Sequence, residues 1–395
     1  MPAHFPSTAT DYRALAARRL PRFLFDYVDG GAGDERTLAA NRDDFAALKL
    51  RQRVLRNVDG IDTRAVIAGE DCALPLALAP IGLAGMMARR GEAQAARVAE
   101  AAGVPFTLST VGICPLAEVQ AARRTPFWFQ LYMLRDRGVV AVLLDEAWAA
   151  GCRTLVFTVD LPLPGLRHRD VRNGLEARGA AGALLRLRQV LARPRWLREV
   201  ALGGKPLKFG CLAQQVPDAR NLDAFKGWVD TQFDPSVTWR DIEWLRARWK
   251  GRLLLKGILD VEDARAAVQI GADGIVVSNH GGRQLDSVAS SISMLPAIAQ
   301  AVGAQTEVLL DGGVRSGSDI FKALALGARG VLIGRPWVWA LAGAGSDGLR
   351  DYLGMLRREL YLAMTFAGVT RIADINPDSL HFDPLHSDSL HGGSP

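Results

Sequence analysis

The chain has 395 residues, 49% hydrophobic and 23% charged, with a formal net charge of +6. This is the composition of a globular protein; the mild positive charge favours an acidic substrate or an anionic surface, and the lack of a DNA- or RNA-binding motif argues against nucleic acid. The four cysteines are widely spaced, which argues against a disulfide scaffold. The N-terminus lacks the basic and apolar pattern of a secretory signal, and no run of about 18 to 20 apolar residues could span a membrane. We therefore expect a cytoplasmic protein.

Short apolar strands alternate with amphipathic helices along most of the chain. Eight segments are predicted to be strands: Leu76–Ala79, Pro105–Ser109, Phe127–Tyr132, Thr154–Asp160, Leu253–Gly257, Gly274–Asn279, Glu307–Gly312 and Gly330–Gly334. Their continuous Val, Ile and Leu runs are typical of parallel strands buried on both faces. Eight such units predict an α/β fold of the TIM (β/α)8 barrel type. A doubly wound sheet is the alternative, disfavoured because no GxGxxG sequence follows a strand.

Three segments are expected to lie outside the barrel of a single domain, residues 1–375. Residues 11–50 have a helical pattern, and residues 171–250 form a long insertion after the fourth strand. Residues 376–395 are rich in Asp, Ser, His and Gly and are predicted to be a disordered tail. Its three histidines are five residues apart and share neither a strand face nor a helix face, so no metal site is predicted.

Polar side chains and glycines follow nearly every predicted strand, where a TIM barrel places its chemistry. In chain order they are Ala79-Pro80, Ser109, Gln130 with Tyr132, Thr158 with Asp160, Lys256, Ser278 with His280, Asp311 with Gly313 and Arg315, and Gly334 with Arg335. So many polar groups at one rim indicate an active site.

The run from Ser278 to Asp286, SNHGGRQLD, is the most informative of these. His280 is a base suited to neutral pH, and Arg283 offers a planar fork that fits a carboxylate. Asp160 either orients His280 or caps a helix. The run therefore predicts proton abstraction from, or oxidation of, a small carboxylic acid.

The glycine turns after strands seven and eight, with Arg315 and Arg335, predict a phosphate site; helix capping by these arginines is the alternative. Lys256 at the end of strand five fits a Schiff base, the stabilisation of an anion or a structural ion pair equally well. Tyr27 and Tyr132, taken singly, are typical of core tyrosines.

Taken together, these motifs resemble the FMN-dependent α-hydroxy acid oxidising enzymes over residues 11 to 375. The resemblance rests on Ser278–Asp286, Asp311–Asp319 with Lys322–Ala328, Gln130–Tyr132, and Phe25–Tyr27 followed by Gly30-Gly31. It implies FMN as the cofactor and a small 2-hydroxy acid as the substrate.

The resemblance also implies a role for each residue. His280 is the base, Asp160 its partner, and Lys256 lies near flavin N1. Substrate contacts are implied for Tyr27, Tyr132, Arg167 and Arg283. The flavin would be lined by Ala79, Pro80, Ser109, Gln130, Thr158 and Ser278. Asp311 would bind the ribityl chain, and Gly313, Arg315, Gly334 and Arg335 the phosphate.

Within the family, the chain is most similar to the quinone-linked L-lactate dehydrogenases, which implies a quinone acceptor, a homotetramer and a peripheral place on the cytoplasmic side of the inner membrane. Gly82 matches the dehydrogenases, whereas the oxidases tend to carry Ala. The segment between Arg178 and Lys208 interleaves six basic residues, Lys205 among them, with leucines, which suits an anionic lipid surface; a mobile solvated loop is the alternative.

Several other functions stay open at this stage. Leu83, Val111 and Leu166 are expected to line the side-chain pocket, and aliphatic walls admit lactate, mandelate or another larger 2-hydroxy acid. An oxidase using O₂, a lyase forming a Schiff base on Lys256 and a non-catalytic binding protein are the remaining alternatives.

Overall fold

The computed structural model describes residues 5–177, 179–203, 210–213 and 231–381. The chain begins with three helices and three short strands outside the barrel. They are α1 (Ala9–Arg19), α2 (Arg22–Asp29), α3 (Arg36–Ala47), β1 (Lys49–Leu50), β2 (Ala65–Ile67) and β3 (Glu70–Cys72). Strands β2 and β3 form an antiparallel hairpin, and the Ala68 N–H donates to both carboxylate oxygens of Glu307 at 3.0 and 2.9 Å. Because Glu307 starts a barrel strand, this hairpin covers the amino end of the barrel.

Eight parallel strands form the centre of the molecule. They are β4 (Leu76–Leu78), β5 (Thr107–Ser109), β6 (Trp128–Leu131), β7 (Thr154–Thr158), β8 (Arg252–Ile258), β9 (Gly274–Val277), β10 (Glu307–Asp311) and β11 (Gly330–Ile333). From β5 to β11 each strand pairs with the next along the chain, and β11 pairs with β4. The Leu78 N–H donates to the Pro105 carbonyl at 2.9 Å and so brings β4 beside β5. The predicted TIM barrel, with its eight strands, is confirmed.

Helices surround the strands and bury their apolar faces against them. In chain order they are α4 (Ala84–Met87), α5 (Gly91–Ala101), α6 (Leu116–Ala121), α7 (Arg137–Ala149), α8 (His168–Arg172), α9 (Gly179–Leu191), α10 (Pro194–Trp196), α11 (Trp239–Arg248), α12 (Val261–Gln269), α13 (Ser291–Val302), α14 (Gly317–Ala325) and α15 (Arg335–Ala367). Helix α15 is two helical segments joined at Gly345, whose φ is 74°. Helix α11 directly precedes β8, so the last part of the predicted insertion is a helix of the barrel.

The described part of the insertion is folded against the rest of the protein. The Trp196 indole N–H donates to the Met86 carbonyl at 2.7 Å, the Gln189 Oε1 atom accepts from the Phe23 N–H at 2.8 Å, and the Arg193 Nε–H donates to the Leu20 carbonyl at 3.0 Å. A π-helical turn, Leu197–Leu202, follows α10. Residues 179–202 are therefore a docked helical segment; Arg178, Lys205 and Lys208 lie outside the described residues.

The chain continues in regular structure past the predicted start of the tail. A 3₁₀ turn, Pro377–Ser379, leads into β12 (Leu380–His381), which pairs antiparallel with β1. The described part of the predicted tail is thus folded. Residues 382–395, with His386 and His391, lie outside the described residues.

Candidate active site

A cavity of about 1110 Å³ lies at the carboxyl ends of the barrel strands. Fourteen of the predicted site residues line it: Tyr27, Ala79, Pro80, Tyr132, Thr158, Arg167, Lys256, His280, Arg283, Asp311, Gly313, Arg315, Gly334 and Arg335. Asp160, Ser109, Gln130 and Ser278 are not part of the lining. Gln130 bonds to Ser109 at 3.0 Å and to Thr158 at 3.1 Å, so it supports the wall from behind.

His280, which lines this cavity, forms a hydrogen-bonded pair with Asp160, which lies outside the lining. The His280 Nδ1 atom lies 2.9 Å from Asp160 Oδ1, and because a carboxylate can only accept, Nδ1 carries the proton and Nε2 is left free to take one. Gly257 makes room for the pair, since a Cβ there would lie 2.6 Å from Asp160 Cβ. Asp160 Oδ2 has no hydrogen-bond partner among the described residues. The Asp160 carboxylate therefore orients an imidazole base.

Two arginines converge on the same region. Arg283 donates to the carbonyls of Tyr27 and Gly30 at 2.5 and 3.0 Å and lies 5.0 Å from the Tyr27 ring centre. Arg167 donates to Asp170 at 2.9 Å. Burial, and then the positive charge of Arg167, lowers the pKa of Arg283. Two neighbouring cations, one without a carboxylate partner among the described residues, favour a bound anion such as a carboxylate.

Tyr132 completes this end of the cavity. Its ring packs edge-on against Phe233, with 5.6 Å between the ring centres. Burial, and then the Asp160 carboxylate, raises the pKa of Tyr132. The hydroxyl therefore stays protonated and can donate a hydrogen bond to an oxygen of a bound molecule.

Lys256, Ser278 and Asp311 form a buried polar cluster deeper in the barrel. The Lys256 ammonium lies 2.7 Å from Asp311 Oδ2 and 3.0 Å from Ser278 Oγ, and the Ser278 hydroxyl donates to Asp311 at 2.7 Å. Burial alone would lower the pKa of Lys256 and raise that of Asp311, but their mutual attraction outweighs it in both cases. The pair therefore stays charged over the whole range between the ordinary pKa values of an aspartate and a lysine. Its stabilisation fades only as the pH falls through the lowered Asp311 pKa or rises through the raised Lys256 pKa.

The two remaining arginines form a second positive region. Arg335 donates to the carbonyls of Val28 and Gly30 at 3.0 and 2.8 Å. It therefore caps the end of α2, which was the alternative to phosphate binding in the sequence analysis. Burial, with Arg283 and Arg315 close by, lowers its pKa to about 9. Arg315 lies 5.1 Å from the Trp339 ring centre. Among the described residues neither guanidinium pairs with a carboxylate, so both are available to a phosphate.

These features fit FMN. Buried arginines without acidic partners beside Gly313 and Gly334 suit its phosphate, the Asp311 carboxylate suits hydroxyl groups, and the apolar wall of Ala79 and Pro80 suits a flat ring. Within the described ranges, no group of His, Cys, Asp and Glu side chains is placed to hold a metal ion, and no helix is long and apolar enough to cross a bilayer.

Two parts of the site have no clear signal in the sequence. Phe23, Met86, Leu175, Glu176 and Phe233 line the cavity but come from α2, α4 and the insertion. An apolar residue in such segments reads as packing and a lone glutamate reads as a solvated position, so neither spacing nor residue type marks them.

The second missed part is an amide pair, Asn41 with Asn279. Each side chain donates to the other's oxygen at 2.8 Å, and both residues are buried. Asn41 also accepts from the Ser291 N–H at 3.2 Å, and Asn279 from the Gly282 N–H at 3.0 Å. The pair ties α3 to the loop that carries His280; the sequence offers only an Asn next to the histidine motif.

Comparisons with known proteins agree with this geometry. Residues 16–382 match the FMN-dependent dehydrogenase family. An L-lactate dehydrogenase of Caulobacter vibrioides is 55% identical over 94% of this chain and 96% of its own length, and one of Allorhizobium ampelinum is 53% identical over 95% and 98%.

Solved structures are similar as well. The monotopic membrane protein (S)-mandelate dehydrogenase has a TM-score of 0.89 at 34% identity, covering 96% of this chain and all of that one. Mandelate oxidase has a TM-score of 0.80 at 40% identity, covering 95% of this chain and 98% of that one. With a matching family over nearly the whole chain and a cavity that suits its cofactor, this protein belongs to the FMN-dependent dehydrogenase family.

Proposed function

We propose that the protein oxidises an L-2-hydroxy acid, L-lactate in the first place, to the 2-keto acid and passes the electrons to a membrane quinone. The carrying observation is the convergence, in one cavity, of the His280–Asp160 pair with Arg167, Arg283 and Tyr132. The L-lactate dehydrogenases at 53–55% identity support the substrate.

Each side chain has a distinct part in the proposed reaction. Arg283 and Arg167 bind the substrate carboxylate, and Tyr27 closes the edge of the site. Tyr132 donates a hydrogen bond to the hydroxyl oxygen of the substrate. His280 takes one of the two protons that the substrate loses, through Nε2, and Asp160 stabilises the resulting imidazolium. FMN, when bound, would supply the acceptor for the electron pair and for the second hydrogen. The Lys256 ammonium, held charged by Asp311, stabilises negative charge in its neighbourhood.

The state of Lys256 argues against the lyase alternative. A Schiff base needs a neutral amine, which a raised pKa opposes. Borohydride treatment with substrate should therefore leave Lys256 unmodified.

The first experiment is the visible spectrum of the purified protein, without oxygen, before and after addition of substrate. Bleaching of the flavin bands by L-lactate and not by D-lactate is expected. Bleaching only by (S)-mandelate would instead select the second candidate, which the similarity to mandelate dehydrogenase and the aliphatic wall of Leu83 and Val111 support. Rapid peroxide formation in air would select the oxidase alternative, and no bleaching by any 2-hydroxy acid would refute the proposal.

The outer surface of the insertion supports a membrane acceptor. Leu184, Leu187 and Leu191 on α9 are 50–59% exposed although the helix is docked through Gln189. Arg188, Arg195 and Arg198, in the same docked segment, are also exposed. Exposed leucines among arginines suit an anionic lipid surface. The apolar residues Phe23 and Leu24 line the adjoining cavity and would give a quinone ring a path into it.

Vesicle flotation tests this surface. The triple variant L184S/L187S/L191S should lose at least tenfold in binding to vesicles containing phosphatidylglycerol, because three leucines each contribute about 1.5–3 kcal/mol when fully buried. It should keep its turnover with an artificial dye. The matched control replaces exposed valines elsewhere, V66S/V142S, and should float like the wild type. Equal loss in both variants, or none in the triple variant, would refute a docking role for α9.

We also propose a homotetramer on the inner face of the membrane. An exposed apolar patch supports contact between copies: Val54 and Leu55 lie beside Leu362 and Phe366, where the Arg53 N–H donates to the Phe366 carbonyl at 2.9 Å. Light scattering should give four times the chain mass, and F366S should lower it.

A further inference from the structure

The loops after β4 and β5 together form one wall of the cavity. Gly82 and Leu83 come from the first loop and Val111 from the second. The Leu83 N–H donates to the Val111 carbonyl at 3.0 Å, and a Cβ on Gly82 would lie 2.8 Å from Val111 Cγ2. The width of the cavity at this wall therefore depends on the spacing of the two loops.

Leu83 is held in an unfavourable backbone conformation. Its φ is 61°, in the left-handed region, and it directly precedes the short helix α4. For a residue with a side chain this conformation costs about 1–2 kcal/mol, so it persists only where neighbouring contacts fix it. Something must hold this loop in place.

Glu92, in the first turn of α5, makes the required contacts. Its side chain is almost fully buried, and its Oε1 atom accepts from the Gly85 N–H at 2.9 Å and from the Ile113 N–H at 2.8 Å. Ile113 belongs to the loop after β5, and Gly85 belongs to α4, the short helix that directly continues the loop after β4. The nearby cation, Arg90, donates to Glu118 instead. Glu92 is thus a carboxylate bridge between the loops rather than half of an ion pair.

The local sequence is shaped around this bridge. A Cβ on Gly85 would lie 2.6 Å from Ile113 Cβ and 2.8 Å from Glu92 Oε2, so only glycine allows the three groups to meet. Glu92 Oε2 has no hydrogen-bond partner in the described part of the chain. Leaving a buried carboxylate oxygen unpartnered is unfavourable, and the two charge-assisted bonds at Oε1 offset it.

We propose that Glu92 is a positioning residue for substrate choice: by clamping the two loops it fixes the pocket for the substituent on the substrate's C2. The inference rests on the proposed oxidation of 2-hydroxy acids. Glu92 does not line the cavity; it acts through Leu83 and Val111.

The test compares Glu92→Asp with Glu92→Gln, using the FMN-loaded enzyme. Aspartate is one methylene too short to reach both donors, whereas glutamine keeps the accepting oxygen. We expect E92D to shift the ratio of kcat/KM for L-lactate over (S)-mandelate about tenfold towards mandelate, mainly through the KM for lactate. E92Q should stay within about twofold of the wild type.

Glu307 supplies the matched control, because it too is a carboxylate that accepts from a backbone N–H, at the opposite end of the barrel. E307D should lower the thermal midpoint without moving the substrate ratio. An unchanged ratio in E92D, or an equal shift in E307D, would overturn the proposal. A wild type that turns over neither acid would refute the proposed function instead.

A second variant covers the case in which E92D yields no folded protein. Gly85→Ala keeps the glutamate in the sequence but forces Ile113 and Glu92 away through its new Cβ, and should shift the ratio in the same direction. Gly354→Ala on α15, where a Cβ meets nothing within 4 Å, is its control. A ratio unchanged by G85A would overturn the proposal.

Discussion

The buried pair Asn41–Asn279 allows the sharpest test of how the base is held. Replacing Asn41 by Ala removes three hydrogen bonds: the two reciprocal bonds to Asn279 and the one from the Ser291 N–H. At about 1 kcal/mol for each bond, the free energy of unfolding should fall by about 2–4 kcal/mol, towards the upper value because Ser291 is left with a buried, unpartnered N–H.

The loss should also reach the chemistry. Asn279 precedes His280, and its side chain fixes the Gly282 N–H, so N41A loosens the segment that carries both the base and Arg283. Displacing the base by about 1 Å can lower the rate by about 100-fold. We therefore expect kcat for L-lactate to fall at least tenfold, measured as the rate of flavin bleaching after rapid mixing.

A double-mutant cycle with N279A separates the pair from its surroundings, with urea unfolding as the assay. The coupling energy should be about 1–2 kcal/mol, since two of the lost bonds are shared. Thr306→Val is the control: it removes one buried hydrogen bond, to the Ala272 carbonyl, at the amino end of the barrel. It should destabilise by about 1 kcal/mol and leave kcat unchanged. Additive effects of N41A and N279A, or equal rate losses in N41A and T306V, would refute the reasoning.

Replacing Lys256 by Met should lower the free energy of unfolding by about 3–5 kcal/mol at pH 8, because Asp311 is left buried and charged. In urea unfolding the loss should shrink towards pH 5, because burial raises the pKa of Asp311 once the lowering effect of Lys256 is gone, and the carboxyl then takes up a proton more readily. The double variant K256M/D311N should recover most of the loss, and a loss independent of pH would contradict this. Arg335→Met should raise the Kd of the apoprotein for FMN about 10- to 100-fold and leave riboflavin binding unchanged, as measured by fluorescence titration; equal weakening would argue against a phosphate contact. Gly82→Ala should raise the KM for L-lactate about tenfold, because the new Cβ would lie 2.8 Å from Val111. The double variant G82A/V111A removes this clash and should restore the KM in steady-state kinetics. No recovery would place the clash elsewhere.

The barrel could be predicted because its strands are marked twice. Runs such as Gly274–Val277 are continuously apolar, as strands buried on both faces require, and nearly every run is followed by a polar residue or a glycine. Once the fold is known, every strand end is assigned to one rim, so Lys256 and His280 fall together although 23 residues separate them in the chain. The site followed from the fold, not from any single motif.

Which side of a strand end faces the cavity could not be predicted in the same way. Ser109, Gln130 and Ser278 were expected to line the flavin, and they lie behind the wall of the cavity in this structure. The tilt of the strands decides which residue of an alternating pair points inwards, and the sequence carries no measure of tilt. Asn41 was missed for a related reason, because an asparagine in a helical pattern reads as a solvated position until its partner is known.

The N-terminal segment is outside the barrel, yet it contacts the loop that carries the base and the side chains of both Arg283 and Arg335. The Gly282 carbonyl accepts from the Ala32 N–H at 2.8 Å, and a Cβ on Gly31 would lie 2.9 Å from that same carbonyl oxygen. The segment also provides the carbonyl acceptors of Arg283 and Arg335, at Gly30. A single stretch of backbone therefore fixes the proposed carboxylate clamp and the proposed phosphate site relative to each other. Substrate and cofactor positions are coupled through α2 and the turn after it, so a change that shifts this turn must disturb both at once.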